Sequence, residues 1–327
     1  MGFVIGGAVT PGLKSGIEYS EDGYKWRSAR VNISETYNVR DVMYYDGYWV
    51  ALAVGAWSSF VLRSRNGSSW SKVGDANISF VSARFLPYHN DKYYIYGSFY
   101  TASSSDLINW VVVNVNPPSG SVNESVSYAS PGYWDGNVYT LAIAEEKTYT
   151  SPWFGYSYDR VSWVWSDLDP TTYSGGYAYA NGLYVSVDKK SLNGISWTAP
   201  GMGYWIGNNQ NTMSYGNGRW LLVGGGVAAT STNGSSWSVN SLPINKGSAL
   251  NAMTVVFDSV TNQFVMPCVN PGEGPTASVR IAVSVDGSSF IFIDSPPKMG
   301  QSYYQCFGVG PVSGDSGWRI GSIGMGA

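Results

Sequence analysis

Ser64-Arg65-Asn66-Gly67-Ser68-Ser69-Trp70 is one copy of a pattern that recurs seven times along the chain. Its form is Ser, any residue, Asp or Asn, usually Gly, two more residues, then Trp. The other copies are Ser20 to Trp26, Ser104 to Trp110, Ser157 to Trp163, Ser191 to Trp197, Ser231 to Trp237 and Ser284 to Phe290. The third position is held by Asp22, Asn66, Asp106, Asp159, Asn193, Asn233 and Asp286. A short Asx side chain in a turn accepts hydrogen bonds from backbone N–H groups two residues on, and Ser can do the same. The closing aromatic begins a strand and packs between units. These seven residues are therefore read as structural. One per repeat, they are too dispersed to converge on a single metal or ligand.

The closing aromatics lie 44, 40, 53, 34, 40 and 53 residues apart, the period of propeller blades. Within each period a second turn, such as Tyr45-Asp46-Gly47, Trp134-Asp135-Gly136, Ala180-Asn181-Gly182 or Gly216-Asn217-Gly218, precedes an apolar run. Asp-Gly and Asn-Gly between apolar runs signal two-residue hairpins. One period thus reads as strand a, Asx-Gly turn, strand b, variable loop, strand c, the repeated turn, and strand d. The fold class expected is all-β: a seven-bladed β-propeller of four-stranded antiparallel blades, spanning 1–327 as one domain. Strand-like segments before the first repeat and after the last should pair, so that the last blade is shared by about 1–30 and 300–327 and the ring closes without open edges.

Composition agrees with this reading. Charged residues are only 13%, while 40 Gly, 25 Tyr and 14 Trp supply turns and strands rather than long helices. A net charge of −3 with no basic run excludes the electrostatic footprint of a nucleic-acid binder. No apolar stretch is long enough to insert in a membrane as a helix, and no signal peptide is read at the N-terminus. The single histidine, His89 in a polar turn, makes multi-His metal sites and a Ser-His-Asp triad poor readings. No cofactor or metal is expected. Cys268 and Cys306 are two buried thiols or one bridge. Two of the five Asn-X-Ser sequons, at Asn66 and Asn233, lie inside the repeated turns, which accounts for them without glycosylation; the others are Asn32, Asn77 and Asn123.

The repeated pattern closely resembles the Asp-box, or BNR repeat, of sialidase-like propellers, over nearly the whole chain. The resemblance implies the propeller fold and a structural role for the boxes, which occur in glycosidases, sorting receptors, photosynthetic assembly factors and phage tail proteins alike. The hairpin Tyr215-Gly216-Asn217-Gly218-Arg219-Trp220, followed by the box at Ser231 to Trp237, is similar to repeats of phage tail and adhesin proteins. A sialidase-like active site would require three arginines, a Tyr–Glu pair and an Asp acid/base. The Arg-Ile-Pro signature of that family is absent. Arg40 and Arg84 fall at comparable places in strand a of successive units, where they would line the channel; Arg280 and Arg319 are further candidates. Acidic partners would come from Glu145, Glu146, Asp188 or Glu273, and no pair of carboxylates at the separation a glycosidase needs can be assembled from them.

Function is placed instead on the face opposite the repeated turns, built from the variable b–c and d–a loops. These carry Trp57, Phe99, Tyr100, Tyr149, Trp153, Phe154, Tyr173, Tyr204, Trp205, Tyr303 and Tyr304, with Asn208 to Asn211 close to Trp205. Aromatic faces beside amides suit sugar rings, and they also anchor protein interfaces. The ligand-binding set is Trp57, Tyr100, Trp153, Tyr204, Trp205, Asn208, Arg40 and Arg84. The expected function is a non-catalytic recognition module of phage-tail or adhesin type, on a virion or extracellular, binding a surface glycan or polysaccharide. Other virion or tail proteins are the second class of partner. A sialidase-like hydrolase and a protein-binding scaffold are the alternatives.

Overall fold

A computed structural model describes residues 2–7, 16–80, 83–97, 100–114, 126–129, 133–145, 153–167, 177–186, 189–198, 212–224, 226–242, 244–245, 248–249, 251–252, 254–259, 261–269, 279–293, 304–309 and 320–322. Seven sheets form the blades of a seven-bladed β-propeller, and no helix occurs among the described residues. A two-stranded hairpin, Ile244–Asn245 with Ser248–Ala249, lies between the sixth and seventh blades in sequence.

The second blade shows how sequence becomes a blade. Its strands are Tyr37–Tyr45, Tyr48–Gly55, Ser59–Ser64 and Ser69–Asp75, paired in that order. The Asp46-Gly47 turn has φ of 47° and 77°, the pair of positive values that a right-twisted two-residue hairpin demands. Strand b is apolar on both faces because both are buried. Trp49, Ala51 and Ala53 pack toward the first blade with Val4 and Ile17, whereas Val50 and Leu52 pack toward the third with Phe85 and Ile95. Burying a side chain such as Phe85 fully contributes roughly 1.5–3 kcal/mol, so the seams between blades hold the ring together.

The repeated turn is the same object in all seven copies. The Asx Oδ1 accepts N–H bonds from the residues two and three positions on, at 2.7–3.0 Å. The fourth residue always has positive φ, from 63° at Arg160 to 77° at Gly23, which explains why five copies use Gly. Space matters as well. A Cβ on Gly67 would lie 3.2 Å from Val4 of the preceding blade, and one on Gly287 would lie 2.7 Å from Thr230. Leu107 and Arg160 occupy the same position by sending side chains into the seam. The Arg160 guanidinium carbon lies 3.5 Å from the Tyr139 ring centroid and 4.3 Å from that of Tyr94.

The ring closes through the chain ends. Phe3–Gly7 pairs antiparallel with Tyr304–Val309, and the sheet continues outward through Ile17–Ser20 to Arg27–Ser28. The C-terminal Tyr304–Val309 thus supplies strand a and the N-terminus supplies strands b to d. The rings of Phe3 and Phe307 stack at 6.1 Å beside Trp26. A fifth strand, Ile320–Ser322, pairs with the inner edge of Tyr304–Val309. At the opposite edge of the second blade, Arg30–Val31 pairs in parallel with Ser69–Trp70, covering an outer edge. Cys268 is a free and fully buried thiol, so it forms no bridge with Cys306; burial pushes its pKa up to about 12.

Candidate functional site at the seam of the second and third blades

Hairpin topology puts the a–b turns and the repeated c–d turns on one face and the b–c and d–a connections on the other. On the first face the repeated turns spend their polar groups on themselves. Asp106 is typical: bonds from the Asn109 side chain and the N–H groups of Asn109 and Ile108 hold its carboxyl well below the usual carboxylate range. Such carboxylates have little left to offer a ligand.

The opposite face differs at the second and third blades. The b–c connection of the second blade is a tight turn, with Gly55 N–H bonded to the Ser58 carbonyl at 2.8 Å. Its tip carries Trp57, 93% exposed. Beside it, Ser58 Oγ donates to Asp75 at 2.7 Å, and Lys72 Nζ bridges Asp75 at 2.6 Å and Glu35 at 3.4 Å. These polar groups fix the turn from below and leave the indole in solvent.

The strand that follows this turn is tied to the segment leading into the third blade. Ser59 Oγ accepts the Phe80 N–H at 2.9 Å, and the neighbouring Ser79 carbonyl accepts the Tyr100 hydroxyl at 2.6 Å. Tyr100 is half-buried, and burial raises its pKa to about 12, so it serves as a neutral donor. It opens the strand Tyr100–Ser104 rather than standing free in a loop.

Deeper in the same seam lies a charged cluster. In strand a of the second blade, Val39 faces Ala53 and Asp41 faces Leu52, so Arg40 is the extra residue of a β-bulge. Bulges redirect side chains in this way. Asp41 is fully buried; its oxygens accept the Val42 N–H at 2.9 Å and, across the seam, the Phe85 N–H at 2.8 Å. Burial pushes its pKa up to about 6 against the pull of Arg84 and the two N–H bonds. Arg84, 8% exposed, donates to the Ala83 carbonyl at 2.9 Å. Burial and the charge of Arg84 lower the pKa of Arg40, which is half-buried. Two arginines to one aspartate leave the cluster with an excess positive charge.

Three of the eight sequence-predicted binding residues, Arg40, Arg84 and Tyr100, therefore gather along one seam, and a fourth, Trp57, stands at the tip of the second blade's b–c turn. Trp153 opens the strand Trp153–Ser157, not a loop, and Phe154 beside it is buried against Tyr177 and Trp197. Tyr204, Trp205 and Asn208 lie outside the described residues, as do Glu146, Asp188, Glu273 and Arg319. Arg280 opens the strand Arg280–Ser284, the third strand of the seventh blade, rather than an inner strand as Arg40 does. Sequence reading missed Asp41, which has no motif around it, and Asn77. The Asn77 side chain accepts the Trp110 N–H at 2.9 Å and donates to the Trp110 carbonyl at 3.1 Å, a structural clamp within one of the sequons. Among the described residues no group of three His, Cys, Asp or Glu is placed to hold a metal ion.

No family model matches the chain, and no curated protein matches its sequence. Solved structures do share its fold. A streptogramin B lyase superimposes with a TM-score of 0.52 at 8% identity, covering 89% of this chain and 87% of that one. YCF48 bound to a D1 peptide gives 0.48 at 12% identity, covering 82% and 87%. The α-L-arabinofuranosidase Arb93A from Fusarium graminearum gives 0.45 at 12% identity, covering 80% and 83%. At these identities the likeness is one of fold, which many chemistries share.

Proposed function

We propose that the chain is a non-catalytic recognition module that binds a glycan across the seam of the second and third blades. The observation that carries this reading is Trp57, a large aromatic face 93% exposed on a turn held by Ser58 and Asp75. An exposed indole offers the flat apolar surface on which a sugar ring stacks, and with two side-chain torsions it loses little entropy on binding. Lys72, Asp75 and Glu35 beside it offer donors and acceptors for hydroxyls, and half-buried Arg40 offers a cation to an acidic substituent.

The charged cluster favours recognition over hydrolysis. A glycosidase requires one carboxyl free to protonate the leaving oxygen and a second across the cleft. Asp41, the carboxyl brought to the arginine pair, is fully buried and committed to two backbone N–H groups. The phage-tail or adhesin setting, on a virion or outside the cell, extends the proposal on the resemblance of the repeats. A screen of the purified chain against glycans and bacterial polysaccharides, with every bound sugar checked for cleavage, tests the reading. Binding without cleavage is expected; cleavage of a bound sugar contradicts it.

A further inference from the structure

The chain contains Asn-Gly pairs in two structural settings, and the settings differ in what they permit chemically. In the repeated turns, Gly67, Gly194 and Gly234 are buried, and the N–H groups of Gly67 and Gly234 donate to Ser64 and Ser231 Oγ at 2.9 Å. The preceding Asn66 and Asn233 hold their side-chain oxygens on the N–H groups two and three residues ahead. In the a–b turns, by contrast, the glycine is at the tip. Asn181 and Gly182 are both exposed, with φ of 50° and 73°, and nothing lies within 4 Å of where a Gly182 Cβ would be. Asn217-Gly218 has the same turn, but Asn217 is half-buried and its Nδ2 donates to two carbonyls of the next blade, Asn262 at 3.1 Å and Val285 at 2.9 Å.

We infer that Asn181 is a site of spontaneous covalent modification, converted to aspartate or isoaspartate through a succinimide. The Gly182 backbone nitrogen loses its proton to solvent base and attacks Asn181 Cγ. The bond to Nδ2 breaks and ammonia leaves carrying a proton. Water then opens the five-membered ring at either carbonyl. The exposed Gly182 nitrogen is open to base, whereas the buried Gly67 and Gly234 nitrogens are engaged with serine hydroxyls. Asn217 is slower than Asn181 because its leaving nitrogen is held by two carbonyl oxygens.

The structural consequence also separates the two turns. Asn181 Nδ2 donates to the Tyr215 hydroxyl at 2.6 Å. A phenol can donate as well as accept, so an aspartate at 181 keeps the bond with its direction reversed. An aspartate at 217 would face two carbonyl oxygens with no proton to give. Conversion to aspartate at 181 therefore adds a negative charge to the a–b turn face while leaving the seam intact.

The test is peptide mapping by mass spectrometry of the intact folded chain incubated in mildly alkaline buffer. The amide-to-acid mass gain should appear first at Asn181, later at Asn217, and last at Asn66 and Asn233. No conversion at Asn181, or conversion at Asn66 and Asn233 at the same rate, overturns the inference. Asn181→Asp should leave Tm unchanged, while Asn217→Asp lowers it by roughly 2–4 °C, the scale of one lost hydrogen bond. A fall in Tm for Asn181→Asp matching that for Asn217→Asp overturns the account of the Tyr215 bond.

Discussion

The repeated turns and the inner wall between the second and third blades both place an acidic side chain on backbone N–H groups, with opposite electrostatic results. Asp106 sits at the surface, and its bonds hold its carboxyl below the usual range. Asp41 makes comparable bonds in the interior, where desolvation outweighs them and raises the carboxyl to about 6. Hydrogen bonds alone do not set the charge state; depth decides. A surface turn is cheap to repeat seven times. The buried Asp41 instead depends on a bulge and on the next blade's Arg84, contacts that a single repeat cannot supply.

Substitutions sharpen the contrast. Asp41→Ala should have the largest effect, about 3–5 kcal/mol of lost stability by chemical denaturation, since it strips the buried arginine of its counter-charge and orphans the Phe85 N–H. A loss as small as that of a surface turn would show that water reaches the cluster. Asp106→Ala removes a local acceptor of the kind found at helix N-caps and should cost about 1 kcal/mol in the same assay. A cost equal to that of Asp41→Ala would erase the distinction between the two regions.

Acidity separates them by sign. The folded pKa of Asp41, about 6, lies above the ordinary aspartate value of 3.8. Its protonated form therefore favours folding: the contribution is fully present below that ordinary value and is lost as pH rises through about 6. Asp106 is shifted downward, so its contribution is present above the ordinary value and lost as pH falls through its folded one. Thermal melts across pH of the wild type against Asp41→Asn and Asp106→Asn should show differences that bend in opposite directions. Parallel curves would contradict the assignment. The smallest effect on stability belongs to Trp57→Ala, within about 0.5 kcal/mol of the wild type, because the indole buries almost nothing.

The blades were legible in the sequence because their causes are local. An Asx followed by a residue with positive φ makes the same turn wherever it occurs, and Asp46-Gly47 or Asn217-Gly218 fixes a hairpin without help from distant residues. Ring closure was legible too, since the segments at Phe3 and at Tyr304 had no other partners. The wall was only half visible. Arg40 and Arg84 stood at matching places in successive repeats, but Asp41 is joined to Phe85 across 44 positions, and a bulge shifts the alternation that would have pointed to it. Aromatic residues were ambiguous for a related reason. Trp57 and Phe154 both follow a b strand in sequence, yet one ends in a tight turn and the other begins a buried strand, and that depends on loop length rather than residue type.

The most direct test is the affinity of the wild type and of Trp57→Ala for the tightest-binding glycan, measured by calorimetry on chains of equal Tm. The account predicts that the substitution abolishes binding while the melt is unchanged. Equal affinities in the two chains would contradict it and move recognition away from this seam.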